Sequence, residues 1–330
     1  MMVRRLTRLP AAVLCALAAV GIAACGGSQH AASGSSSNQS GGKKHVTLQV
    51  LMPTLAVEFF QRDVSGMKQA AAADPNAEVT INAATDFAKT DEQLAKLEAM
   101  IAKRPDAILV GVAAPEQQAP ILQRAIDSGI KTVVYDNVPG LHGHYSYVLP
   151  NQQKTGALVA GYLRKRLPHG GTLGIITCQP GFKAIDDRVA GIRKGIVGSG
   201  IKEVSYLRGD CDEAKGLNAA QNMLVAHPDL AAIATINGTM GLGAARAAKQ
   251  AGKRPIIVSI DGTWAEADAI LAGDMDATVS QTPEGQGRAG VEGAIALARG
   301  EPVPHVIQPP GVVLITKDNA AQFTKAGSGR

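Results

Sequence analysis

The chain has 330 residues and a formal charge of +5, and it is 45% hydrophobic but only 3% aromatic. That length exceeds one ordinary domain and suffices for two lobes with separate cores, and an apolar content built on Ala, Val, Ile and Leu suits buried strands alternating with Ala-rich helices. No block of Lys and Arg with interleaved aromatics occurs, which excludes a nucleic-acid footprint and leaves the net charge as a matter of solubility.

Residues 1–24 read as an export signal, in which Arg4, Arg5 and Arg8 precede an apolar run from Leu9 to Ala24 that is short for a membrane-spanning helix. Its end, Ile22-Ala23-Ala24-Cys25, resembles a bacterial lipobox, where small residues admit a signal peptidase and the Cys thiol accepts a diacylglycerol. Cys25 is therefore the expected lipidation site, and its acyl chains would hold the new N-terminus at the cell membrane. Loss of the three arginines leaves a charge of +2. Residues 25–44, mostly Gly, Ser and other polar residues, cannot form a core and are expected to be a flexible tether to a body that begins near His45.

From Val46 the pattern alternates. Val46 to Met52, Val79 to Ala83, Ala107 to Val112 and Lys131 to Asp136 read as strands. Glu58 to Ala73, Thr90 to Lys103 and Pro120 to Ser128 read as the helices between them, with Leu94, Leu97 and Ile101 on one face of the second. The alternation restarts near Leu149-Pro150-Asn151. Helices over Gln153 to Leu167, Arg188 to Val197, Asp212 to Ala226 and Thr239 to Ala251 intersperse with strands over Thr172 to Cys178, Glu203 to Arg208, Ala231 to Ile236 and the run into Asp261. A strand over Thr278 to Gln281, a helix over Gly287 to Ala298 and a strand over Val312 to Thr316 follow. The expected fold is α/β, with two doubly wound parallel-sheet lobes.

Pro255 to Trp264, PIIVSIDGTW, is an apolar, β-branched run that ends in a carboxylate, and ligands of open α/β sheets bind at the carboxyl ends of strands. Asp261 is thus a candidate ligand contact, because Thr263-Trp264-Ala265-Glu266 is itself a capping box and leaves the Asp free. Gly129 to Asn137, GIKTVVYDN, repeats the device and ends in Asp136. Two such carboxylates suggest two half-sites on two lobes.

The stretch DCDEAKGLNAAQNMLVAHPD, from Asp210 to Asp229, resembles the corresponding part of the ribose-type periplasmic sugar-binding proteins, type I solute-binding proteins of ABC importers. SIDGT, VSQTPEGQG and the early EFF extend the likeness over His45 to Asn319. Repressors that share this body fold need an N-terminal DNA-reading module, and here the leader and tether take that place. The resemblance implies two lobes joined by a three-crossing hinge near Leu149 to Asn151, Gln281 to Thr282 and Pro309 to Gly311. Residues 45–149 with 282–309 would form the N-terminal lobe and residues 150–281 with 310–330 the C-terminal one, closing on a ligand between them. It also implies an extracytoplasmic monomer that passes a monosaccharide or polyol to ABC permease subunits, uses no cofactor and is not an enzyme.

On this resemblance Phe59, Phe60, Asp136, Asn237, Asp261 and Gln281 keep the family's sugar-contacting residues. The set is chemically coherent, since carboxylates and amides pair with adjacent hydroxyls two at a time and an aromatic face covers the C–H face of a sugar ring. One of the two Phe is expected to point into the core, and Asn237 has capping of the next helix as its alternative. Where the family has arginines, this chain has Asn137 beside Asp136, and Asp186 with Arg188 two residues on. Cys211 replaces a far-side aromatic, while Trp264 and Phe182 lie near the rim. These departures open the site to a polyol or a differently shaped monosaccharide. In this fold Cys178 and Cys211 end neighbouring strands, and export permits a disulfide between them worth roughly 3 to 4 kcal/mol; two reduced, buried thiols are the alternative.

Other signals carry less. Gly238, Gly241 and Gly243 do not follow the GxGxxG spacing, His142-Gly143-His144 reads as a solvated loop, and the two cysteines lack further zinc ligands, so no metal is expected. The rival class is a carbohydrate-modifying enzyme with Asp136 and Asp261 as acid and base; their placement on separate lobes stands against it. A sensor kinase in place of a permease is a second output for the same binding event.

Overall fold

The computed structural model describes residues 43–137, 139–180 and 182–327. The expected export signal, the lipidation site Cys25 and most of the tether lie outside the described residues. Among these residues no helix is long and apolar enough to cross a membrane.

The first sheet has six parallel strands. β1 (Val46–Met52) lies between β2 (Ala77–Ala83) and β3 (Ala107–Gly111), and β4 (Lys131–Tyr135), β5 (Tyr145–Val148) and β11 (Val306–Ile307) extend it in the order β11-β5-β4-β3-β1-β2. Every residue of β3 is buried, as a strand covered on both faces must be. Alternation of side chains splits the core in two. Leu48, Val50, Leu109, Val133 and Tyr135 pack with α1 (Glu58–Ala73) and α9 (Pro283–Arg299). Leu51, Ile108, Val110 and Val134 pack with α2 (Thr90–Ala102) and α3 (Pro115–Asp127).

The second sheet repeats this construction. Its strands are β6 (Gly171–Thr177), β7 (Ile201–Arg208), β8 (Ala232–Thr235), β9 (Ile256–Asp261), β10 (Ala277–Ser280) and β12 (Val313–Thr316), in the order β12-β10-β9-β8-β6-β7, with β12 antiparallel at the edge. Helices α4 (Gln152–Arg166), α5 (Lys183–Ile196), α6 (Glu213–Ala226), α7 (Gly238–Gln250) and α8 (Trp264–Ala272) cover it. The chain passes between the sheets after Val148, after Ser280 and after Ile307. Both sheets reverse their winding beside their first strand, which is where this fold class places its ligands.

The two doubly wound lobes expected from the alternation are present, and the differences are local. β5 and β11 are too short for alternation to register. α3 begins at Pro115, with Pro120 inside it, because a polar first turn hides its start, and α5 begins at Lys183 rather than Arg188.

Three helix pairs meet backbone to backbone. A Cβ on Gly66 of α1 would lie 1.8 Å from the Glu284 carbonyl oxygen of α9, one on Gly156 of α4 2.0 Å from that of Arg188 on α5, and one on Gly243 of α7 2.3 Å from that of Glu213 on α6. Gly287, Gly191 and Gly216 answer them from the partner helices. These crossings set the depth at which α1 presents its aromatics and α5 presents Arg188. Cys178 and Cys211 are joined, with their Cα atoms 4.9 Å apart, and tie together the chain leaving β6 and β7.

Gly156→Ala must force α5 away from α4. It is expected to destabilise the protein by about 1–3 kcal/mol in urea denaturation, whereas Gly161→Ala on the same helix, where a Cβ meets open space, should be neutral or stabilising.

Candidate functional site

Asp261 is the last residue of β9 and lies in register with Ser280 of β10, so Gln281 emerges beside it. The Gln281 Nε2 donates to Asp261 Oδ1 at 3.0 Å, and the Gly238 N–H that opens α7 donates to Oδ2 at 3.0 Å. Arg188 of α5 is buried behind this pair. Its Nε donates to Gln152 Oε1 at 2.8 Å, its Nη1 to the Ile236 carbonyl at 2.8 Å and its Nη2 to Gln281 Oε1 at 3.0 Å. Arg188 Nη1 also lies 3.9 Å from Asp261 Oδ1. Gln281 Oε1 takes a second hydrogen bond, from Gln152 Nε2 at 3.0 Å. Both its lone pairs are then used, which fixes the orientation of the amide.

The first sheet supplies the facing half. Asp136 follows β4 with φ of 72°, and its carboxylate hydrogen-bonds to no described residue. Asn137 donates through Nδ2 to the Val112 carbonyl at 2.8 Å, fastening the loop after β4 to the end of β3. Phe59 and Phe60 meet edge to face with centroids 5.6 Å apart, and Phe60 stacks on Phe87 at 6.3 Å. Both rings pack into the core cluster of the first sheet, where the sequence placed only one; Phe87 covers the second.

The remaining candidates fall around this centre. Asn237 caps α7, with Oδ1 accepting from the Met240 N–H at 3.0 Å and Nδ2 donating to Thr239 Oγ1 at 3.2 Å. Thr263 and Glu266 form the expected capping box. Trp264 opens α8, with its ring 5.6 Å from the Arg62 guanidinium carbon and 5.6 Å from Lys325 Nζ. Asp186 is exposed and outside the cluster; two residues on a helix differ by roughly 200°, so it cannot share a face with Arg188. Gln152 and Arg62 are participants that no sequence motif marks, and Glu58 figures in the sequence as the first residue of the EFF landmark.

Burial pushes the Asp261 carboxyl up to about 7, with Arg188 opposing the rise and Glu266 adding to it. Burial also raises Asp136, again against Arg188, so one guanidinium is felt by a carboxylate from each sheet. Asp63 is raised well above the usual range by burial, although the Tyr135 hydroxyl donates to it. Among the described residues the buried side-chain atoms without a protein partner are Asp63 Oδ1, Gln93 Oε1, Gln118 Nε2, Gln179 Oε1 and Trp264 Nε1. Each follows a strand's carboxyl end or sits in the opening turns of the helix beyond it, the same edge that presents Asp136 and Asp261. No described group of His, Cys, Asp and Glu is arranged to hold a metal.

A carboxyl whose folded pKa lies above its unfolded value contributes stability that is complete below the unfolded pKa and lost as pH rises through the folded one. With Asp261 raised to about 7, the unfolding midpoint of the ligand-free protein should fall between pH 5 and pH 8. Asp261→Ala should reduce that fall, and an unchanged slope would remove Asp261 as its source.

Residues 48–302 match the family model of the periplasmic binding protein domain. The D-ribose/D-allose-binding protein of Pseudomonas aeruginosa is 31% identical over 266 residues, which cover 78% of this chain and 83% of the relative. A solved ABC transporter periplasmic solute binding protein from Actinobacillus succinogenes, with bound D-allose, has a TM-score of 0.78 at 25% identity and covers 84% of this chain and 99% of its own. An ABC transporter solute binding protein from Bacillus halodurans, with bound myo-inositol, has a TM-score of 0.77 at 26% identity and covers 86% and 98%. A match that runs from β1 through α9, on two sheets wound as described, makes this chain a member of the periplasmic binding protein family.

Proposed function

We propose that the protein is the extracytoplasmic solute-binding component of an ABC importer and captures a monosaccharide or related polyol between its two lobes. The observation that carries this reading is the pair of strand-end carboxylates, Asp136 on one sheet and Asp261 on the other, with Arg188 Nη1 3.9 Å from Asp261 Oδ1 and its charge opposing the rise of both carboxyls. Adjacent hydroxyls can donate to these carboxylates and accept from Arg188, while Phe59 and Phe60 bring an apolar ring surface to the same edge. Asn137, Asn237, Trp264 and Gln281 remain candidate contacts at this edge, and Asp186, exposed and outside the cluster, does not. The named relatives are sugar-binding proteins and their solved counterparts hold D-allose or a cyclitol, which supports a neutral, hydroxyl-rich ligand and a binding protein in place of an enzyme. Residues 45–149 with 282–309 would move against residues 150–281 with 310–330, as a monomer carried on a lipid at Cys25.

Binding to the native state raises the unfolding midpoint. In a thermal-shift panel of D-ribose, D-allose, myo-inositol and glycerol against an amino-acid control set, at least one polyol is expected to shift the midpoint without being consumed. Asp261→Ala should raise its Kd by about thirtyfold or more; absence of any carbohydrate shift would overturn the ligand class. For the anchor, radiolabelled palmitate should enter the wild-type chain in bacterial cells and be absent from Cys25→Ser, and label retained on that variant would overturn lipidation at Cys25.

A further inference from the structure

The first turn of α8 is completed by the opposite lobe. The leading N–H groups of a helix have no partner within it. The Thr263 N–H donates to Glu266 Oε2 at 2.7 Å and the Glu266 N–H to Thr263 Oγ1 at 3.2 Å, which accounts for the two ends of the turn. The two groups between them, on Trp264 and Ala265, donate to Oε1 and Oε2 of Glu58, the second at 3.2 Å. Glu58 belongs to α1, which packs on the first sheet, and α8 covers the second.

One turn along α1, Arg62 makes a second crossing. Its Nη1 donates to the Gly262 carbonyl, between Asp261 and α8. Its Nε and Nη2 hold the Glu284 carboxylate at 2.6 and 2.9 Å. Glu284 lies in the first turn of α9, on the same lobe as α1. Arg62 is thus braced on one lobe and reaches the other through one N–H to the Gly262 carbonyl and through the Trp264 ring, and it is only 4% exposed. Neither Glu58 nor Arg62 hydrogen-bonds to Asp136, Arg188, Asp261 or Gln281.

We propose that Glu58 and Arg62 are positioning residues that latch the lobes together and set how fast a ligand leaves, without touching it. This rests on closure around a carbohydrate as the function. The N-terminal end of α8 carries partial positive charge that a carboxylate in its first turn satisfies. When the lobes part, the Trp264 and Ala265 N–H groups and the Gly262 carbonyl turn to water. The latch therefore stabilises the closed form alone, and a contact confined to one state shifts the equilibrium toward it. Apparent affinity follows the closed fraction, and contacts made after encounter are read in dissociation more than association.

Trp264 is the only tryptophan in the chain and sits on this seam, so its fluorescence reports closure. Stopped-flow fluorescence would compare the wild type with Glu58→Ala, Glu58→Gln and Arg62→Lys, each confirmed folded by circular dichroism, using whichever of D-ribose, D-allose or myo-inositol binds. Glu58→Ala is expected to speed dissociation on the order of fivefold to thirtyfold, with association unchanged within about twofold. Glu58→Gln, which keeps an acceptor without the charge, should fall between, as should Arg62→Lys, which keeps the charge without the fork that grips Glu284. A folded Glu58→Ala protein that releases sugar at the wild-type rate overturns the latch and leaves the binding function standing. If no carbohydrate binds the wild type, small-angle scattering of the ligand-free proteins decides: a compact wild type that expands in Glu58→Ala supports the latch, and identical profiles overturn it.

Discussion

The site depends on the burial of Arg188. A guanidinium removed from water is tolerated only when its donors are satisfied and its charge is matched, and here that demands four separate pieces of chain: Gln152 at the start of α4, the Ile236 carbonyl beyond β8, Gln281 beyond β10 and the nearby Asp261 carboxylate. None of these can shift without stranding a donor. The same cation opposes the rise of both Asp261 and Asp136, so the group that assembles one lobe's half-site also reaches the carboxylate of the other. Mutating Arg188 would therefore unpair Gln152, Gln281 and the Ile236 carbonyl together.

Backbone strain gathers at the edge that carries the strand-end carboxylates, where five of the six non-glycine residues with positive φ among the described residues lie. Asp136, Asp210, Cys211, Asp261 and Thr282 all adopt positive φ without being glycine, a conformation that costs of order 1–3 kcal/mol each where the surroundings impose it. All five follow or terminate strands at the edge where the two half-sites meet. Burial of the Asp136 and Asp261 carboxyls adds to this cost at neutral pH. Hydroxyl donors brought to those carboxylates would offset part of it.

What the sequence makes legible follows from how local each signal is. Asp261, Gln281 and Asp136 stand out because an apolar strand stops at a polar residue, and the capping box at Thr263 is written within four consecutive residues. Asn237 has the right residue type at the right place, yet capping and ligand binding draw on the same amide, and the cap is what its oxygen does. Asp186 misleads because adjacency in the chain is not adjacency on a helix. The pairings of Glu58 and Gln152 are invisible for a different reason: Glu58 finds its partner 206 residues away, and Gln152 finds its partners 36 and 129 residues away. Such pairings exist only once both sheets are in place.

The glycine crossings of α1 with α9, α4 with α5 and α6 with α7 place main chain against main chain. Shear between packed helices relies on interdigitated side chains that can slide or change rotamer, and two backbones in direct contact have none to rearrange. Each helix pair so joined is therefore a stiff plate, which leaves the crossings after Val148, Ser280 and Ile307 as the places where one sheet can turn against the other. A plate cannot mould itself to its cargo. If the lobes close on a ligand as proposed, selection becomes a question of gap width, because a ligand too large would keep Glu58 from reaching the first turn of α8.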